Sequence, residues 1–300
     1  MTYNTGNAEN AMLDILKSLR PSQWTKNLFV FAALVFAQKA LFGPALLRTL
    51  AAFVIFCLLS GALYLVNDVC DIEADRLHPR KRLRPIAAGR VPLRRAISWA
   101  VILTAVALAA AFALRPLFGA VAAIYAVAML AYSLKLKNVV ILDVFLIAAG
   151  FVLRVIAGGV VISVPLSSWL IICMSLLALF IRLGKRRHEL VFLETDAPLH
   201  RPILREYSVY FLDQMISVVT ASTVIAYSLY TVSEETIQKF GTRNLILTTP
   251  FVLYGIFRYL YLVHQRGQGG NPEEMIFRDK PLAVAIFLWI AAVIIILYFR

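Results

Sequence analysis

The chain has 300 residues, is 61% hydrophobic with a mean hydropathy of +0.78, and carries a formal net charge of +13. Soluble domains are nearer half apolar, so this composition excludes an ordinary soluble enzyme and points to a protein in a bilayer. Cys57, Cys70 and Cys173 show no metal-ligand spacing and the four histidines are scattered over separate polar segments, so neither a disulfide framework nor a zinc site is indicated.

The polar-to-mixed first 26 residues show no cleavable signal peptide. Within them, "AMLDILKSLRP" (11–21) places Met12, Leu13, Leu16 and Leu19 at helical spacing. That pattern fits a helix on the membrane surface and a short amphipathic helix packed on the protein equally well. Nine apolar runs follow, at about 27–43, 46–66, 96–114, 117–134, 139–162, 166–183, 214–232, 245–263 and 281–299. Each approaches the length needed to cross a hydrocarbon core of about 30 Å. The first, "NLFVFAALVFAQKALFG", is short and interrupted by Lys39. The runs are continuous rather than alternating, so the expected fold is all-α, a polytopic membrane protein of about nine transmembrane helices.

Nine spans put the two ends on opposite sides. With a cytoplasmic N-terminus, twenty-three of the 30 Lys and Arg residues fall on the cytoplasmic side, six on the other, and Arg154 within a span. That asymmetry follows the positive-inside rule, so the net charge needs no nucleic acid to explain it. No linker divides the chain, and a single domain over 1–300 is expected. Polar cytoplasmic loops lie at about 67–95, 184–213 and 264–280. The first two follow even-numbered spans, which suggests a four-span unit used twice with a ninth helix appended.

The segment "NDVCDIEADRLHPRKRLRP" (67–85) gathers charge of both signs between apolar stretches. On a helix continuing out of the second span, Asn67, Asp71 and Asp75 share a face, and Asp68 sits within reach of it. Like charges at this spacing call for a cation. Oxygen donors at a membrane surface fit Mg2+ on a substrate diphosphate. The competing reading is a solvated helix whose acids pair with the neighbouring arginines. Pro79 and Pro85 force extended backbone before them and fold Arg80, Lys81, Arg82 and Arg84 back over the acids. Cations there would hold phosphate oxygens.

Further polar groups lie on the same side: Lys26 and Asn27 at the mouth of the first span, Tyr132, Lys135 and Lys137 after the fourth, and Arg182, Lys185, Arg186 and Arg187 after the sixth. Each alone reads as a membrane-interface cluster. Arg154 is harder to explain that way. It is about ten residues from either end of its run, where a charge is costly and usually functional, and it is expected to face a cavity with an anion or a carboxylate.

"NDVCDIEAD" resembles the NDxxDxxxD signature of the UbiA superfamily of intramembrane prenyltransferases, and the resemblance covers nearly the whole chain. Within it, "LRPSQWTKN", "NDVCDIEADRLHPRKRLRPIAAG", "YSLKLKNVVILDV", "LREYS" and "NPEEMIFRDKPL" are similar to the branch of decaprenyl-phosphate phosphoribosyltransferases. The resemblance implies transfer of phosphoribosyl from phosphoribosyl diphosphate (PRPP) to a polyprenyl phosphate, in cell-envelope precursor synthesis at the bacterial plasma membrane. It implies Mg2+ on Asn67, Asp68, Asp71 and Asp75. Substrate phosphates would be held by Lys81, Arg84, Lys137, Lys185 and Arg186, with Tyr132, Lys26 and Arg154 also in the site; Asp71, Asp75 and Arg154 are the expected catalytic residues. A homo-oligomer stays open.

One departure narrows the donor. Prenyl-diphosphate users usually carry a second DxxxD after the sixth span, where this chain reads "GKRRHELVFLETD". A basic first turn suits the extra phosphate of PRPP. The rival readings are prenyl transfer to an aromatic or haem acceptor, and a transporter or lipid-binding protein with Arg154 on the substrate path.

Overall fold

A computed structural model describes residues 5–79, 81–193, 202–270, 275 and 278–298. Among these residues every regular element is helical, and eight helices are long and apolar enough to cross a membrane. The chain divides into two compact units: Met1–Leu166 with Pro198–Ile203, and Ser167–Ala197 with Leu204–Arg300. The boundary falls after the fifth apolar run, one span later than the four-plus-four division suggested by the loops.

The first unit contains α1 (Thr5–Ser18), a 3-10 stretch Pro21–Phe31, α2 (Ala32–Phe36), α3 (Gly43–Cys70), α4 (Ile72–Leu77), α5 (Leu93–Leu114), α6 (Pro116–Leu134) and α7 (Leu142–Val161). Around α1, Ile15 and Leu19 are buried with Leu65, Ile86 and Val91, while Met12, Leu13 and Leu16 stay exposed. One face thus packs on the protein and an apolar face is left outward.

The run 27–43 departs from expectation. Its first part, 27–31, is the end of the 11-residue 3-10 stretch Pro21–Phe31 rather than α-helix, and only Ala32–Phe36 continues as α-helix. A 3-10 helix rises roughly 2.0 Å per residue against about 1.5 Å for an α-helix, so the two pieces extend about 30 Å only with the polar Pro21–Lys26 included, and about 18 Å over Asn27–Phe36. The count of nine crossings turns on this segment.

Helices in lipid gain little from hydrophobic burial and associate through close packing of small residues. Ala52, Ala107, Ala111, Ala122 and Ala157 are buried together with Phe56, Leu59 and Phe118. The Phe56 ring lies 5.9 Å from Phe118 and 5.2 Å from Tyr125. Gly158 is required here: a Cβ on it would stand 1.9 Å from the Val30 carbonyl oxygen, so only glycine lets α7 lie this close to the 3-10 stretch.

The second unit contains α8 (Ser168–Leu193), α9 (Val209–Val232), α10 (Glu234–Phe240), α11 (Thr249–His264) and α12 (Lys280–Tyr298). α8 runs ten residues beyond the apolar run 166–183, so 184–193 is helix, not loop. An i,i+3 pair, Arg186 to Glu189 at 2.8 Å, supports this extension. α9 starts at Val209, ahead of its apolar run, because the Ser208 hydroxyl caps it by accepting from the Phe211 N–H at 3.1 Å. Inside the unit, Trp289 Nε1 donates to the Tyr227 hydroxyl at 2.8 Å, which lies 2.6 Å from Thr248 Oγ1.

Candidate active site

The acids sit where α3 leaves its apolar stretch. α3 closes at Asp71 and α4 opens after it, yet Asp71 N–H bonds the Asn67 carbonyl at 2.9 Å and Asp75 N–H bonds the Asp71 carbonyl at 2.8 Å. Helical phase therefore carries through the junction. At about 100° per residue, Asp75 falls about 20° from Asp68 but about 80° from Asn67. Asp71 lies about 40° from each of Asn67 and Asp75, so it is the partners that divide the single acidic face read from the sequence into two. Asn67 Nδ2 donates to Asp71 Oδ2 at 3.0 Å. Asp68 and Asp75 share Arg84, whose Nη1 lies 3.1 Å from Asp68 Oδ1 and 2.5 Å from Asp75 Oδ2.

The basic segment does fold back over the acids, as a 3-10 turn Lys81–Leu83 rather than an extended strand. Buried Ile86 and Val91 anchor its far end beside Leu65. Lys81 Nζ reaches to 4.0 Å from Asp75 Oδ1. Arg82 is exposed, and Arg80 lies outside the described residues. Lys137, just beyond α6, forms an ion pair with Asp71. Nearby, Ser133 Oγ donates to Asn67 Oδ1 at 3.4 Å, and Tyr132 is buried.

Arg20 is a partner that the sequence reading missed. It pairs with Asp68 and lies 4.8 Å over the Tyr64 ring. Its backbone is left-handed, φ 53°, immediately before Pro21. A non-glycine residue there is uncommon, and that conformation is what turns its side chain toward α3. Three carboxylates thus meet four cations: Arg20, Lys81, Arg84 and Lys137.

Arg154 is buried, as expected, but not against a carboxylate. Its Nε donates to Asn27 Oδ1, its Nη1 to the Gly150 carbonyl and its Nη2 to the Tyr125 hydroxyl, each at 2.7 Å. The guanidinium lies 4.7 Å from the Tyr125 ring centre. Asn27 in turn donates to Ser60 Oγ at 3.1 Å and to Cys57 Sγ at 3.3 Å. Neutral acceptors and an aromatic face carry the charge, and together they pin the 3-10 stretch, with half-buried Lys26, to α3, α6 and α7.

Lys185 and Arg186 belong to the second unit. Arg186 is fully buried, paired with Glu189 and 5.9 Å over the Tyr207 ring; Lys185 is half-buried one residue before it on α8. Beside them Arg187 straddles Asp213 at 2.5 and 3.4 Å, and His264 Nε2 lies 3.1 Å from the same carboxylate. Asp213 carries no local pattern that marks it. Glu194 and Asp196 lie outside the described residues.

Among the described residues, no three His, Cys, Asp or Glu side chains converge as a metal cage. The reason is the division above: Asp68 and Asp75 turn to Arg84, and Asp71 turns to Asn67 and Lys137. Mg2+ binds hard oxygens and is commonly held by one or two carboxylates plus substrate phosphates and water. Asn67, Asp68, Asp71 and Asp75 supply only oxygen acceptors to a cation, so the donor set fits. Asp71, 26% exposed against 2% for Asp68 and Asp75, is the carboxylate presented outward.

Residues 27–278 match the model of the UbiA prenyltransferase family. The chain belongs to the UbiA prenyltransferase family. Over 98% of this family member and 95% of the relative, it is 34% identical to a decaprenyl-phosphate phosphoribosyltransferase of Mycolicibacterium smegmatis. It is 35% identical to the protein of the same name from Mycobacterium tuberculosis, over 95% of this chain and 94% of that one. The fold matches a solved UbiA homologue from Archaeoglobus fulgidus bound to GPP and Mg2+, with a TM-score of 0.71 over 95% of this chain and 99% of that one at 20% identity. The UbiA-family protein is therefore an integral membrane protein with that family's helical fold.

Proposed function

We propose that this UbiA-family protein transfers 5-phosphoribosyl from PRPP to a polyprenyl phosphate, releasing diphosphate, with a site on the cytoplasmic face of the bacterial plasma membrane. The observation that carries the reading is the interleaving of Asp68, Asp71 and Asp75 with Arg20, Lys81, Arg84 and Lys137 at one helix end. A diphosphate brings the negative charge that such cations can take up. As it does so, carboxylates are released from their arginine and lysine partners. The near-full-length relatives named decaprenyl-phosphate phosphoribosyltransferase support the group transferred and the acceptor, and the basic "GKRRHE" stretch in place of a second acidic motif favours a donor with an additional phosphate.

In this mechanism Asn67 and Asp71, with Asp68 and Asp75 behind them, would hold Mg2+. When bound, the metal would stabilise charge on the departing diphosphate. Arg84, Lys81 and Lys137 hold diphosphate oxygens as preorganised cations, and Tyr132 lines the donor site. Lys185 and Arg186, in the second unit, are assigned to phosphate binding by the family resemblance. Lys26 takes the lipid phosphate, and Arg154 positions the segment that carries it. A lipid phosphate oxygen forms a bond to the anomeric carbon of ribose while the bond from that carbon to the diphosphate oxygen breaks. The diphosphate leaves with the bonding pair. A phosphate monoester has its second pKa near about 6, so the attacking oxygen is already ionised near neutral pH and no side chain need remove a proton.

The test uses membranes containing the protein, polyprenyl phosphate and PRPP labelled in the ribose. Label should enter organic-extractable lipid only with Mg2+ present. Asp71→Asn or Asp75→Asn should abolish transfer while protein remains in the membrane. Full activity in both variants overturns the metal assignment. Consumption of a prenyl diphosphate without PRPP overturns the donor.

A further inference from the structure

The first unit has a second charged feature at its other end. α3 is 28 residues long, so its N-terminus lies about 42 Å along the helix axis from the acid cluster. There Lys39, Phe42, Pro44, Ala45, Arg48 and Ile162 line a cavity of about 280 Å³. Among the described residues, neither the Lys39 nor the Arg48 side chain has a hydrogen bond or ion pair. The sequence shows why no carboxylate answers them. Every Asp and Glu of the unit lies in α1, at the exit of α3 and in α4, or at Asp143 where α7 begins.

Two further features favour an anion. The α3 N-cap, Phe42, offers no side-chain acceptor, so the positive end of a long helix faces the cavity uncapped. The backbone is left-handed at Gln38, φ 54°, and at Ser163, φ 56°, each next to a lining residue. Non-glycine residues in this region cluster where a site over-determines the backbone. Apolar side chains next in the chain to lining residues are bared: Leu41, before Phe42, is 90% exposed, and Leu47, before Arg48, is 68% exposed. Apolar side chains bared around a pair of cations at the end of a membrane-length helix match headgroup depth, with lipid chains alongside.

We propose that this cavity binds the phosphate headgroup of an anionic phospholipid in the leaflet opposite the acid cluster. Lys39 and Arg48 grip the phosphate, and Leu41 and Leu47 flank its chains.

The test is native mass spectrometry of the full-length protein released from nanodiscs of phosphatidylcholine with phosphatidylglycerol. Three forms are compared: the parent, Lys39→Gln/Arg48→Gln, and Arg94→Gln/Arg95→Gln. The last pair is exposed at the start of α5 and removes the same charge elsewhere. The expected result is loss of one tightly held phosphatidylglycerol in the first pair and none in the second, with equal thermal stability of all three in pure phosphatidylcholine. Equal loss in both pairs, or no loss in either, overturns the site. A second arm adds inorganic phosphate to protein in phosphatidylcholine. Thermal stabilisation of the parent that disappears in Lys39→Gln/Arg48→Gln would make this a free-phosphate site and overturn the lipid assignment.

Discussion

Arg154 Nε donates to Asn27 Oδ1 at 2.7 Å across 127 positions of sequence. The bond joins α7 to the 3-10 stretch one residue from Lys26. Arg154→Lys keeps the charge but cannot serve Asn27, Gly150 and Tyr125 together, because a single ammonium lacks the planar fork. The variant should lose about 2 kcal/mol of stability, the scale of hydrogen bonds to a charged group. Its KM for polyprenyl phosphate should rise about tenfold, about 1.4 kcal/mol of lost binding, with the KM for PRPP unchanged. A rise confined to the PRPP KM would place Arg154 at the donor instead.

Arg84 neutralises two carboxylates that are each 2% exposed. Arg84→Gln leaves Asp68 with Arg20 and Asp75 with Lys81 at 4.0 Å. Removing one partner from a buried pair costs about 3 kcal/mol. Adding Asp75→Asn should restore most of that stability, because the uncompensated charge is gone. Transfer activity should stay lost in the double variant. If thermal unfolding shows the two changes adding rather than compensating, Arg84 and Asp75 are not coupled.

These two cases show what the sequence made legible. The long apolar runs located eight of the nine expected spans, because bilayer thickness sets their length. The first run was mis-shaped by the same reasoning: "LFVFAALVFA" is apolar at every position, so no periodicity separates 3.0 from 3.6 residues per turn. The acidic motif was visible, but its division into Asp68/Asp75 and Asn67/Asp71 was not: Asp71 lies about 40° from both Asn67 and Asp75 in helical phase, and only the partners Arg84 and Lys137 separate the two pairs. Its cation partners were partly visible. Lys81 and Arg84 lie close by in the chain, but Arg20 meets Asp68 across 48 positions, with no local pattern to announce it. Arg154 stood out as a charge in an apolar run, yet its neutral partners, Asn27 and Tyr125, come from other elements. Sequence reading exposes a buried charge; the fold decides what satisfies it.

Lys137 holds Asp71 in an ion pair, so it competes with a metal for that carboxylate. Lys137→Gln removes the competitor and also a phosphate-binding cation. The Mg2+ concentration for half-maximal transfer should fall about threefold, while the KM for PRPP rises about tenfold, each tenfold factor corresponding to about 1.4 kcal/mol. Opposite signs in the two parameters are the signature. A rise in both would mean that Lys137 supports the metal site rather than competing with it.

Asp279 caps α12 by accepting from the Leu282 N–H at 2.9 Å and is straddled by Arg258 at 3.0 and 2.8 Å. The Arg258 hydrogen bonds, with help from the Leu282 N–H, hold its carboxyl below its ordinary value. A depressed folded value means that the unfolded chain takes up a proton first on acidification. The stabilisation is therefore complete above the unfolded value of about 3.9 and is lost as pH falls through the folded one. Asp279→Asn keeps the cap, since Asn is also a good N-cap, but loses the ion pair. The gap in melting temperature between parent and variant should be widest near neutral pH and should close as pH falls below the unfolded value through the lowered folded one. A gap that stays constant over that range would show that Arg258 contributes through packing and not through the charge on Asp279.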